Sequence, residues 1–294
     1  MNSYADPASR DPAGRAPVQA APVKGVPLQG TPLQGAPVPG VPILRAADVC
    51  MRFGGFSALE GVSLSIRTGD LCGLIGPNGA GKSTLFDILA GDRQPTSGQV
   101  FLRERAVGNH AADTRLAAGL GRTFQIPRPF CAMTVIENVM LGRQDHAGER
   151  IWPNWFARKR VARIEADAFA RAMEILEFVA LANHAKQPAG ILSGGQRKLL
   201  ELARVLMAEP SLILLDEPAA GVNPALLDMI IERIAALNQR GITFLIVEHN
   251  MQMIARLCQH VYVMAAGKKL MEGPPLEVTR DPRVIDAYLS GAAA

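Results

Sequence analysis

Nine residues from Gly76 to Thr84, GPNGAGKST, carry the spacing G-x-x-x-x-G-K-[ST] without a mismatch. Glycines at 76, 79 and 81 allow tight turns that aim successive backbone N–H groups at one point, as phosphate oxygens require. Lys82 has the reach to meet β- and γ-phosphates, and the Ser83 hydroxyl can ligate Mg²⁺. With Pro77, Asn78, Ala80 and Thr84 completing it, the stretch predicts a cradle for a nucleoside triphosphate. The rival reading is a Gly-rich turn that happens to hold Lys and Ser. Context separates the two: Leu71–Ile75 is a short apolar run suited to a buried parallel strand, and 82–89 carries a helical apolar pattern. The loop therefore opens a helix whose N-terminal dipole favours an anion.

Two further stretches have chemistry-bearing spacing. Leu212-Ile213-Leu214-Leu215-Asp216-Glu217 is an apolar strand ending in two carboxylates, placed where α/β sheets put their ligands. Asp216 can hold Mg²⁺, and Glu217 can polarise an attacking water, a task worth roughly 10²–10⁴ in rate. The plainer alternative is an acidic pair stabilising a helix dipole. Leu192-Ser193-Gly194-Gly195-Gln196 opens a helix, so Ser193 and the amides of Gly194 and Gly195 form an anion site too far along the chain to be a second phosphate loop.

The elements that must position these residues can be read from composition and pattern. The 294 residues are 48% hydrophobic with a formal charge of +4, enough to bury a substantial core. Residues 1–42 are of different material, with four five-residue units, APVKG, VPLQG, TPLQG and APVPG, between Ala21 and Gly40. Proline and glycine there predict a disordered Pro/Gly/Ala-rich tail, with partner docking as the alternative. The globular pattern runs over 43–291: extended segments at Ile43–Cys50, Val62–Ile66 and Val100–Leu102, a short helix that Asp113 could cap, and an extended run from Leu120 to Gln125. Helical periodicity dominates from about 126 to 200, where Phe169, Met173, Leu176 and Ala180 predict one buried helix face. Strands at Ser211–Leu215 and Ile242–Val247 then alternate with helices at Ala225–Leu237 and Met251–Leu257, predicting a twisted sheet covered on both faces. The densest basic cluster, Arg158 to Arg163, reads as a solvated helix face, with contact to anionic lipid or nucleic acid the weaker alternative. Cys50, Cys72, Cys131 and Cys258 have neither metal-ligand nor disulfide-framework spacing and predict free thiols. No apolar run approaches the roughly 20 residues that span a bilayer, so any membrane role is expected to be peripheral.

In the order phosphate loop, Gln125, LSGGQ, Asp216-Glu217, His249, the chain resembles the nucleotide-binding subunits of ATP-binding cassette (ABC) transporters over about residues 43–273. The resemblance implies an α/β fold: a P-loop ABC-type ATPase core of mixed sheet flanked by helices, with an α-helical subdomain and an antiparallel β subdomain. It also implies ATP and Mg²⁺ as cofactors and a site shared between two subunits, in which residues 193–196 of one cover the γ-phosphate bound to the other. Carried over residue by residue, Glu217, His249 and Gln125 are catalytic, and Ser83, Gln125 and Asp216 face the metal. Phe53 stacks on adenine, although a Phe at such a position taken alone is more often core. His249 contacts the γ-phosphate and holds Glu217.

Departures narrow the group. Pro218-Ala219-Ala220-Gly221-Val222-Asn223-Pro224 replaces the commoner Ser-Ala-Leu-Asp, with Asn223 placed to cap a helix whose first residue is Pro224. That segment, RTFQIPRPF, MTVIENVMLG and the ending DPRVIDAYLS are similar to ATPases of branched-chain amino acid importers. Asn250 stands where that group usually has Asp after the histidine, with little expected consequence. The resemblance implies transmembrane permease subunits, a second ABC ATPase subunit, the same or different, and indirectly a substrate-binding protein as partners, at the cytoplasmic face of the cell's inner membrane, with no nucleic acid. Urea or amide uptake and lipid export remain as other cargoes. A soluble ABC ATPase acting on ribosomes or DNA ranks lower, because one cassette is present and only 68 positions separate Gln125 from Ser193. Trp152 and Trp155 are either a packed staple or a surface facing the permease.

Overall fold

Strict alternation along four apolar strands decides the architecture. In β3 (Leu71–Ile75) and β7 (Leu212–Asp216), and in β8 (Thr243–Val247) and β9 (His260–Ala265), alternate side chains enter two separate cores. Leu71, Ile213, Phe244 and Val261 face one core, and Cys72, Leu212, Leu245 and Tyr262 face the other. A strand with both faces apolar must lie inside a covered sheet. In the computed structural model, which describes residues 40–108, 110–123, 128–144 and 158–291, that sheet has the order β10-β9-β3-β8-β7-β6, with β6 at Leu120–Arg122 and β10 at Lys268–Gly273. All neighbours are parallel except the antiparallel edge strand β10, so the sheet is mixed, as expected. Residues 1–39, Gln125, Trp152 and Trp155 lie outside the described residues.

The second core fills the space between this sheet, helix α1 (Lys82–Ala90) and an antiparallel sheet β2-β1-β4-β5. Its strands are β1 (Pro42–Phe53), β2 (Phe56–Arg67), β4 (Ser97–Leu102) and β5 (Arg105–Ala106). The first core is covered by α3 (Val135–Met140), α4 (Arg158–Phe178), α5 (Gly194–Leu206), α6 (Pro224–Gln239) and α7 (Met251–Leu257), and α3 packs on both α4 and α5. The C-terminal segment adds α8 (Pro275–Val278) and α9 (Pro282–Gly291). Capping marks the start of α6 as the sequence predicts: the Asn223 side chain accepts from the Leu226 N–H, with Pro224 in the first turn.

Two local expectations are corrected. The buried stripe of α4 is Ala168, Ala172, Ile175, Leu176 and, just past its end, Val179, so Phe169 is 46% exposed, and Ala180 lies beyond the helix with φ +58°. Successive helix residues are turned by about 100°, so the rotation that buries Ala168, Ala172 and Ile175 turns Phe169 toward solvent. Asp113 does not cap α2 (Ala112–Ala117); the cap position is Ala111, and Asp113 lies in the first turn, where its carboxylate accepts from the Thr114 N–H.

Arg115, on α2, is fully buried and bonded to carbonyls. It donates to those of Ile88 (2.6 Å), Leu89 (2.7 Å), Val107 (2.7 Å) and His110 (3.1 Å), closing the C-terminal end of α1 and tying it to the antiparallel sheet. The end of a helix carries partial negative charge, which compensates the buried cation. Burial pushes the guanidinium pKa down to about 10, which leaves it charged at neutral pH. Arg115→Met removes the guanidinium donors from all four carbonyls, of which those of Ile88 and Val107 keep the backbone N–H groups of Gly91 and His110, and is expected to destabilise the fold by about 2–4 kcal/mol, read as a lower urea midpoint.

Candidate functional site

The loop after β3 is shaped by contacts with its own surroundings. Gly76 (φ +149°) passes so close to β9 that a Cβ would sit 2.1 Å from the Met264 carbonyl oxygen, and at Gly81 (φ +93°), the cap of α1, it would sit 2.7 Å from that of Ala58. Only glycine fits either place. Pro77, Asn78, Gly79 and Ala80 form the curve between, closed by the Ala80 N–H donating to the Pro77 carbonyl at 3.3 Å. Lys82 is 6% exposed, and its ammonium donates to the carbonyls of Gly76 (2.7 Å) and Pro77 (2.8 Å). Burial lowers its pKa, and the negative charge of Glu217 opposes the shift. A cation held by neutral carbonyls can exchange them for phosphate oxygens. Ser83 and Thr84 come next in the first turn of α1, Ser83 exposed.

The carboxylates come to the same end of the sheet in distinct settings. Asp216 ends β7; its N–H donates to the Thr123 hydroxyl at 3.3 Å, and Arg122 lies 3.5 Å from its carboxylate. Arg122 also pairs with Asp87 at 2.8 Å and with Asp92. Burial raises the Asp216 pKa despite the arginine, so its charge is only partly compensated. Glu217 adopts φ +45°, a left-handed conformation uncommon for a non-glycine residue and often found at functional sites. Its N–H donates to the Val247 carbonyl (2.9 Å), its own carbonyl accepts from Lys198 of α5, and its carboxylate lies 3.0 Å from His249 Nε2. The pair Glu217–His249 can orient a carboxylate toward water beside Lys82.

Glu248 carries no motif in the sequence, yet the structure gives it a role. It is 3% exposed; one carboxylate oxygen accepts from the Ala219 N–H (2.6 Å), the other from the N–H groups of His249 (2.9 Å) and Asn250 (3.0 Å). It thereby fixes the backbone after Glu217 to the backbone of His249. An acid next to the histidine is the one signal that sequence offers for it. Asn250 caps α7, its side chain accepting from the Met253 N–H at 3.0 Å, a task Asn performs as well as Asp.

Ser193 caps α5 in a reciprocal box: Gln196 N–H donates to its hydroxyl (3.3 Å), and its N–H donates to the Gln196 carboxamide oxygen (2.9 Å). Gly194 is exposed and Gly195 buried. The Gln196 amide nitrogen lies 3.3 Å from His184 Nε2, whose Nδ1 meets Gln187 at 2.7 Å, so His184 props the motif, another residue that sequence reasoning missed. Among the described residues no hydrogen bond or ion pair joins Ser193 to 76–84. Phe53, at the end of β1, is 42% exposed with the Arg93 guanidinium 5.0 Å from its ring centre. Among the described residues no three His, Cys, Asp or Glu side chains form a metal cage. Glu248→Gln retains size and removes one acceptor; it is expected to lower kcat about tenfold while the Kd for ATP stays within about twofold, measured by steady-state hydrolysis and nucleotide titration.

A family model described as ABC transporter matches residues 59–220, and one described as branched-chain amino acid ATP-binding cassette transporter matches 268–289. The probable branched-chain amino acid transport ATP-binding protein LivG of Methanocaldococcus jannaschii is 39% identical over 251 residues, covering 84% of this chain and 97% of that protein. A crystal structure of an ABC transporter's ATP-binding cassette in its ADP conformation is similar with a TM-score of 0.74 at 38% identity, over 85% of this chain and 99% of that one. A dimeric post-hydrolysis cassette bound to ADP and Pi gives 0.65 at 25% identity, over 79% and 98%. With its phosphate loop at the same end of the sheet as a carboxylate–histidine pair, the chain belongs to the ABC transporter family as an ATP-binding, ATP-hydrolysing subunit.

Proposed function

We propose that this ATPase powers an importer of branched-chain or other hydrophobic amino acids from the cytoplasmic face of the cell membrane, bound to a pair of permease subunits and, indirectly, served by a substrate-binding protein. The observation that carries the cargo is the match of 268–289 to the branched-chain model, together with relatives of that name. No described helix is long and apolar enough to cross a membrane, in keeping with a peripheral subunit. A cleft of about 350 Å³, with Leu116, Leu141 and Val205 apolar and Arg143 and Arg204 polar in its lining, is a suitable seat for a permease helix. The domain organisation proposed is a tail at 1–42 and an ATPase domain at 43–291, with its helical part at about 126–200.

Within the site, Gly76–Thr84 binds the phosphates, with Lys82 exchanging the Gly76 and Pro77 carbonyls for phosphate oxygens. Asp216 and Ser83 would hold Mg²⁺, which suits the incompletely compensated Asp216 charge; the bound ion supplies neutralisation of phosphate charge. Glu217 accepts the proton of the attacking water, and His249 fixes its carboxylate at 3.0 Å. Gln125 is assigned to sense the metal and water on the family resemblance alone. Exposed Phe53 favours the adenine platform over a core role. Residues 193–196 act on nucleotide held by a second ATPase subunit, the same or a related chain; their separation from the loop and the dimeric relative support this.

Three measurements test the proposal. Glu217→Gln is expected to bind Mg-ATP, accumulate as a closed dimer and lose roughly 10²-fold or more in turnover; near-normal turnover would remove Glu217 as base. Mixing Lys82→Ala with Ser193→Arg subunits should restore one competent site per dimer, and an assembled dimer with no recovery sinks the shared site. Extraction of the native complex in mild detergent should recover two permeases whose uptake of leucine, isoleucine or valine depends on this chain; another cargo would replace the amino acid assignment and leave the ATPase intact.

A further inference from the structure

The first residue of the phosphate loop is held from both sides. Its carbonyl accepts from Lys82, and its N–H donates to the hydroxyl of Tyr288, 212 positions away, at 2.8 Å. Tyr288 lies on α9, inside the segment matched by the branched-chain model. Several features aim it. Asp281 and Arg283 clamp the start of α9, with the Arg283 side chain donating to both carboxylate oxygens of Asp281 at 3.0 and 2.9 Å. Val284, four residues before Tyr288 and so on the same helix face, is buried in the core that contains Ile75, against which the Tyr288 ring also packs. Burial raises the phenol pKa, keeping the hydroxyl intact at neutral pH.

We propose that Tyr288 is a positioning residue for ATP, through which the C-terminal helix sets the affinity of the phosphate loop. Gly76 is buried and cannot shift toward β9, where the Met264 carbonyl bars its way. When Lys82 releases the Gly76 carbonyl for phosphate, the Tyr288 bond still holds the peptide on the other side of the Gly76 Cα. Loss of the hydroxyl leaves a buried N–H without a partner. In the nucleotide-free protein the loop can relax to let water reach it; with phosphates bound the loop is fixed, so the cost falls on the bound state and weakens binding. Glu217 and His249 are held by other bonds, so the chemical step is untouched. The proposal rests on nucleotide binding at 76–84, and the wild-type titration checks that separately.

The test compares full-length wild type, Tyr288→Phe and Val284→Ala by titration with Mg-ATP, by steady-state hydrolysis in the assembled transporter and by thermal melting. Tyr288→Phe is expected to raise the Kd and KM for ATP about two- to tenfold, the range of one neutral hydrogen bond, with kcat within about twofold and little change in Tm. Val284→Ala, which loosens α9 while retaining the hydroxyl, should lower Tm more than Tyr288→Phe does and raise the Kd less. An unchanged Kd in Tyr288→Phe overturns the proposal. Equal weakening in both variants also overturns it, assigning the effect to helix packing. If Tyr288→Phe melts early, Tyr288→Leu provides a second hydroxyl-free side chain, and wild-type affinity in its folded fraction likewise overturns the assignment.

Discussion

The shared register of β3, β8 and β7 is the constraint on which the site depends. Leu74 pairs with Val247, and Val247 pairs with Asp216, so the three strands end at one level. The segments leaving those strands are then forced into one place: the phosphate loop after β3, Glu248 and His249 after β8, Glu217 after β7. The Glu217 N–H bonded to the Val247 carbonyl continues the ladder one step past the strand. A slip of one residue would move every side chain of a strand from one packed core to the other and carry its end out of level with its neighbours, so the fit of two separately packed cores holds the ends together.

At that level, carboxylates take three tasks by environment. Asp216 is buried beside a single arginine that undercompensates it, which suits a cation ligand. Glu217 stands against an exposed histidine in a left-handed backbone, where its carboxylate can face water. Glu248 is saturated by three backbone N–H groups and acts only as a brace. Three side chains with the same functional group are thus separated by hydrogen bonding and burial rather than by chemistry.

The phosphate loop and the Ser193 helix belong to one chain but not to one contact. Ser193 and Gln196 satisfy each other, and Lys198, further along the same helix, reaches the carbonyl of Glu217. A shift of α5 is therefore transmitted to the backbone of Glu217, while Ser193 is exposed at the start of the same helix.

The sequence by itself determined what depends on neighbours in the chain. The glycine spacing of the loop, the caps at Ser193 and Asn223, the apolar strands and the paired acids are all local, because turn geometry and capping involve residues within a few positions. Periodicity also predicted the doubly covered sheet. The tertiary structure decided what depends on distance. It turned the α4 stripe to Ala168, Ala172, Ile175 and Leu176 and left Phe169 outside. It set Arg115 at the end of α1, made Glu248 a brace between two segments, and brought Tyr288 to Gly76 across 212 positions. Apart from the acid standing next to His249, none of these has a signal in sequence order, because each partner is chosen by strand register and helix packing after the chain has folded.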